Sequence, residues 1–404
     1  MSVGLALPPA SNPIIDHADD APAHPIATAS RVLGIQSCVP CHQQNRGEGD
    51  GFSAVNLWQA EDPHARAFAV LSDPAAERMT KLLKLKPPTQ EPLCIGCHVQ
   101  PEARSWPAND HRLDEGVNCE ACHGPAEKWL DAHYRKDWKT MEEVTKVKLG
   151  WHDTRGYFNR AQSCVSCHVG KDDLDVNHDF IAAGHPALFF ELTSALRRMP
   201  KHWPKEKPQE SAIHAAYRLW RIGQDATCAA APDLTAARAK DLKRSWPELA
   251  EYDCLACHRN FLAGGSARRS RSMRAEAPWQ PWFGFWKEFG MVFDEPAAWS
   301  ALSAKMALSK SPSRAVAGDA NRAAAIFRAA AQQEAQIAYS VRVPNGTVMA
   351  LNPRPNDWLR PASALQRWEA LTTFKQAYIE AGREKDFPDV DWRRLESFLP
   401  NRRN

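Results

Sequence analysis

Five times along the chain a Cys-x-x-Cys pair is followed at once by histidine, and nothing else in the sequence constrains the fold as strongly. The segments are CVPCH (Cys38, Cys41, His42), CIGCH (Cys94, Cys97, His98), CEACH (Cys119, Cys122, His123), CVSCH (Cys164, Cys167, His168) and CLACH (Cys254, Cys257, His258). They take up ten of the 11 cysteines and leave Cys228 alone, which reads as a buried thiol. Two thiols at this spacing reach the two vinyl groups on one porphyrin edge, and the next histidine turns beneath the ring to bind iron. Zinc and redox dithiols also use paired cysteines, but neither requires histidine behind every pair. With 15 histidines in 404 residues, five such placements arise by chance about once in ten million. The sequence therefore implies five covalently bound haem c groups, each bringing an iron.

Ten histidines lie outside the motifs, enough to give every iron a second imidazole: His17, His24, His64, His111, His133, His152, His178, His185, His202 and His214. The eight methionines show no ligand context. Four histidines stand out as distal ligands. His64 opens a helical segment in DPHARAF, His133 follows the third motif by ten residues, and His178 and His185 flank NHDFIAAGHP two helical turns apart. His24, His111 and His152 rank behind them. The bland alternative for any one of these is a solvated or core side chain, or a hydrogen bond to a haem propionate. The 25 residues from Cys94 to Cys119 point to at least one close haem pair.

Thirty prolines against six tyrosines suggest a mainly α chain with long loops, organised around closely packed haems and completed by a C-terminal helical region. Residues 1–34 read as a flexible N-terminal segment, 35–262 as the pentahaem domain, and 263–404 as an aromatic-rich linker and haem-free helical region. Helices are expected over HPALFFELTSALRRM from His185, over 211–223 closing near Gly223, over 319–340 and over 361–381. Trp58, Trp106, Trp129 and Trp151, set among the motifs, are read as core residues. Arg268, Arg269, Arg271 and Arg274 form a basic cluster suited to propionates, an acidic partner or solvent alone.

The formal charge of +3 carries no basic stripe, so nucleic acid is not an expected partner. Two propionates per haem and one ferric charge would take it to about −2 oxidised and about −7 reduced. No run of eighteen apolar residues suggests a membrane span. MSVGLALPPAS at the start reads either as the remnant of a signal peptide or as a loose tail.

GVNCEACHGPAEKW, VNHDFIAAGHPALFFEL and AEYDCLACHRNF resemble the cytochrome c554-like family of periplasmic multihaem cytochromes, over roughly residues 35–290. The resemblance implies a loop-rich helical fold around haem pairs, bis-histidine irons with an occasional five-coordinate one, and residence in the periplasm or elsewhere outside the cytoplasm. It singles out His185 in AGHP as a distal ligand, with His64 and His178 next. Arg259 follows His258 where relatives often carry another histidine. Electron transfer between redox partner proteins is the leading expectation. A redox enzyme with one open iron, acting on a small nitrogen or sulfur compound, is the alternative, and a subunit docked in a larger redox complex is a third reading.

Overall fold

Acidic residues placed directly before proline start much of the backbone structure. In the computed structural model, which describes residues 30–46, 51–188, 190, 192–203, 212–252, 297–307 and 312–336, Asp73 caps helix α3 (Pro74–Leu83) by accepting from the Ala75 amide. Glu91 does the same for α4 (Pro92–His98) through Leu93, and Asp62 for the 3-10 turn Pro63–Arg66 through His64. Proline loses nothing as the first helical residue, because its missing N–H has no intrahelical acceptor there, and the carboxylate satisfies the next amide. Among the described residues the result is short helices, 3-10 turns and loops, with one isolated bridge between Lys171 and Leu174 and no strand.

The first four haem motifs each close a helix with their histidine. These are α1 (Val39–His42), α4, α5 (Cys119–His123) and α7 (Tyr157–His168), with α2 (Ala54–Glu61), α3 and α6 (Glu143–Lys148) between them. Beyond lie α8 (His178–Ala182), α9 (Leu192–Arg198) and the long α10 (Ala212–Lys240). Two further helices, α11 (Ala297–Met306) and α12 (Ala317–Gln336), pack together, and α12 lies along α10. None of the helices is long and apolar enough to cross a membrane among the described residues. The fifth motif, the arginine cluster, the boundary near residue 262 and the expected helix 361–381 lie outside them.

Two expected helices differ from those observed. The segment from His185 becomes helical only at Leu192, after Gly184, at φ 116°, has turned the chain out of α8. His178 and His185 therefore do not share a helix face. α10 runs straight through Gly223, whose role is packing: a Cβ there would stand 2.6 Å from Cβ of Leu192, so only glycine lets α9 lie this close. Phe158, Ala161, Val165, Leu192, Leu196, Ile222 and Ala226 fill the junction of α7, α9 and α10. Leu302, Met306, Val316, Ala320 and Ala323 join α11 and α12 to Ala236, Ala239 and Tyr252. Cys228 is buried beside Phe327, as expected.

A buried ion network fixes the far end of α10. The Arg238 guanidinium, 4% exposed, donates Nε to Asp175 at 2.8 Å and Nη1 to Glu251 at 2.8 Å. Thr235 donates to the other Glu251 oxygen at 2.9 Å, and Arg244 to Asp175 at 2.9 Å. Glu248 accepts the His178 amide at 2.8 Å, which ties α8 to the turn Leu249–Glu251. Arg238→Met leaves two buried carboxylates without their shared cation. We expect a loss of about 3 kcal/mol in chemical denaturation, since removing one partner from a buried ion pair strands the other.

Candidate haem-binding site

A motif imidazole that is to hold iron through Nε2 would be oriented by an anchor on its other ring nitrogen, and three of the four described motif histidines have one. His42 donates from Nδ1 to the Gly51 carbonyl at 2.6 Å, and His98 to the Ala67 carbonyl at 2.7 Å. His123 Nδ1 lies 3.4 Å from the Thr154 hydroxyl. Four histidines outside the motifs are held the same way: His64 to Asp62 Oδ1 at 2.8 Å, His133 to the Leu130 carbonyl, His185 to the Pro186 carbonyl at 2.8 Å, and His202 to the Pro200 carbonyl at 3.3 Å.

Three of the motif rings each lie beside a ring from elsewhere in the chain. His42 and His133 have centroids 6.3 Å apart with planes at 21°, His64 and His168 are 6.1 Å apart at 80°, and His123 and His202 are 6.5 Å apart at 75°. A metal–imidazole bond of about 2 Å plus roughly 1 Å from nitrogen to ring centre, taken twice, gives ~6 Å across one metal ion. His185 is close enough to His98 to disfavour its charged form. Burial pushes His123 and His168 down to about 4, helped by His202 and His64 respectively, so both present a neutral lone pair at neutral pH. Among the described residues no three of His, Cys, Asp and Glu converge as a tetrahedral zinc site would require.

The thiols show which motifs face each other. Cys38 and Cys119 are within hydrogen-bonding reach, as are Cys97 and Cys167. The first motif thus meets the third and the second meets the fourth; neither contact joins Cys94 to Cys119, the nearest motifs in sequence. A cavity of about 1170 Å³ opens between the second, third and fourth motifs, lined by Cys97, Cys122, Cys164, Cys167, His64, His123, His168 and His202. That exceeds the ~300–1,000 Å³ usual for one small-molecule ligand. Gln100, 1% exposed, and Trp151 also line it, and neither the Gln100 amide atoms nor the Trp151 indole N–H has a partner. Paired imidazoles, converging thiols and orphaned polar groups beside a large apolar cavity fit haem with its propionates.

Three carboxylates bind the segment before the first motif to the third. Glu127 accepts the Arg31 amide at 2.8 Å, and Glu120 accepts the Leu33, Gly34 and Ala126 amides at 3.0, 2.7 and 2.7 Å. Glu115 accepts the Ile35 amide at 2.9 Å. Burial raises the Glu120 carboxyl above its ordinary value although these amides oppose the shift. Trp129, 5% exposed, fills the space between His133 and Trp151, and Trp151 stacks on His123 at 5.2 Å. Trp58 and Trp106 are partly buried, Trp58 donating to the Val117 carbonyl at 3.0 Å.

Of the distal histidines expected from sequence, His64, His133 and His185 lie beside motif imidazoles. His178 starts α8 next to the turn that leads to the fifth motif, and Cys254, Cys257 and His258 themselves lie outside the described residues. His202 was not singled out. It sits in PKHWP with no periodic pattern around it, and its partner is 79 positions earlier; no local signal marks it.

The motifs and their geometry define a c-type cytochrome. Residues 37–124 match the family described as Cytochrome c554 and c-prime. Cytochrome c-554 of Nitrosomonas europaea is 25% identical over 157 residues, covering 36% of this chain and 60% of that protein. Over these residues the chain is similar to cytochrome c554, a similarity that implies covalently bound haem c. No solved structure matches.

Glu120→Ala removes the acceptor of three amides. The loss expected is about 3 kcal/mol, in line with ~1–3 kcal/mol for each buried group left unsatisfied. Hydrogen exchange at Leu33 and Gly34 should accelerate well beyond that at Val165 in α7; equal rates would contradict the clamp.

Proposed function

We propose that this chain is a pentahaem c-type cytochrome that carries electrons between redox partner proteins outside the cytoplasm. The observation that carries the proposal is the set of three imidazole pairs 6.1–6.5 Å apart, each joining a motif histidine to a histidine from elsewhere in the chain. We assign the axial pairs as His42 with His133, His98 with His185, His123 with His202 and His168 with His64. His178 is the candidate partner of His258.

Haem supplies a reversible one-electron iron couple when bound. The chain's part is to hold two imidazole nitrogens on one axis, fix their orientation through Nδ1, and exclude water with the tryptophans around them. Two strong-field nitrogens would keep a bound iron low spin in both oxidation states, so the chain's residues would have little to rearrange on electron transfer. They also leave no coordination position for a substrate, which favours a carrier over a catalyst. The contacts between first and third and between second and fourth motifs support rapid passage within each haem pair.

Residues 35–262 form the proposed haem domain, and the helical region beyond it is haem-free. α11 and α12 rest on α10, which gives that region a bracing role. Thioether attachment and the family resemblance support a periplasmic location. A subunit role in a larger redox complex remains compatible with the partner surfaces such a carrier needs.

The test is a pyridine haemochrome count with electron paramagnetic resonance of the oxidised protein. Five low-spin haems per chain are expected, with large-gmax signals from the near-perpendicular pairs and a rhombic signal from the near-parallel one. His202→Ala should create one high-spin iron that binds cyanide, whereas substitution of exposed His111 should create none. A high-spin, cyanide-binding iron in the unaltered protein would move the account to the redox enzyme with an open site.

A further inference from the structure

Among the anchored imidazoles, His64 has a different kind of acceptor behind it. Its Nδ1–H donates to a carboxylate, Asp62 Oδ1, at 2.8 Å, and its backbone N–H donates to the same oxygen at 2.9 Å. His42, His98, His133, His185 and His202 donate instead to backbone carbonyls, and His123 meets a hydroxyl. Asp62 is 2% exposed, so its charge is little screened by water. The geometry is fixed from both sides: Pro63 sets the turn, and the capping bond to the His64 amide holds the carboxylate in the ring plane's reach.

A charged acceptor pulls the Nδ1 proton further from the ring than a carbonyl does, which makes Nε2 a stronger electron donor to its metal. The buried negative charge adds to this by favouring the more positive metal state. Both effects would favour ferric over ferrous iron; the hydrogen bond acts on His64 alone, while the charge also reaches His202, to which Asp62 makes no hydrogen bond. We infer that Asp62 is a positioning and tuning residue that makes the haem held by His64 and His168 the lowest-potential haem of the described four. The inference rests on the ligation proposed above. It gives the array a direction: an electron arriving at the fourth motif runs downhill toward the others, and Cys97 of the second motif already touches Cys167 there.

The experiment is a redox titration of haem-loaded Asp62→Asn against the unaltered protein, followed by visible and electron paramagnetic resonance spectra. Asparagine still caps the turn but withdraws the charge. With five low-spin haems retained, the lowest midpoint should move positive by more than any other. Asp62→Glu, which restores the carboxylate, should move it back. Unchanged potentials, or a uniform shift of all of them, would overturn the inference while leaving the ligand pairing intact. If the unaltered protein lacks paired low-spin haems, it is the ligation itself that fails. Should Asp62→Asn not load haem, a reductive titration of the unaltered protein decides: the last ferric signal to disappear must be of the large-gmax kind that the 80° ring angle of His64 and His168 produces, and a rhombic last signal would sink the proposal.

Discussion

On the proposed ligation two imidazole nitrogens approach one metal ion from opposite sides, and the histidines that supply them are separated by 79 to 104 residues of chain where ring distances define the pairs. The fold of the described residues between 30 and 203 is arranged as that ligation would require. Buried apolar side chains there form modest groups, such as Ile95, Val99, Ala103 and Leu113. Among the described residues the larger clusters lie where α7, α9 and α10 meet and where α11 and α12 close over α10. With so little continuous core between its turns, this part of the chain is ordered around rings that are held in place, and the hydrogen bonds behind His42, His64, His98, His133, His185 and His202 do the holding.

Carboxylates organise the rest. Asp62, Asp73, Glu91 and Asp110 each cap the turn or helix they precede. Glu115, Glu120 and Glu127 grip the backbone of residues 31–35 and so carry the first motif to the third. Asp175 and Glu251 share Arg238 under the loop that leads to the fifth motif. In each case a charged oxygen satisfies amides or guanidinium groups that short helices and extended loops leave open. These acids thus serve structure first, and Asp62 is the one proposed to serve a bound haem as well.

The motifs were legible in the sequence because thioether chemistry fixes their spacing within five residues. The low strand content was legible from proline, and the turn at His64 from the dipeptide Asp62–Pro63. What the sequence did not disclose depends on distance along the chain. His202 has no local mark, since its function is defined by His123. The facing of first with third and second with fourth motif arises from the carboxylate clamp and from loop paths, not from the short gap between Cys94 and Cys119. Gly223 looked like a helix end because glycine commonly is one; the neighbour that requires it, Leu192, lies on another helix. Gly184, by contrast, does end its helical segment, and that separates His178 from His185.

The central claim is the pairing of imidazoles across iron, and anomalous diffraction at the iron absorption edge tests it most directly. The account predicts a strong iron peak close to the midpoint of His42 with His133, of His64 with His168 and of His123 with His202. Iron lying away from these midpoints, or bound by one imidazole alone in any of the three, would contradict it.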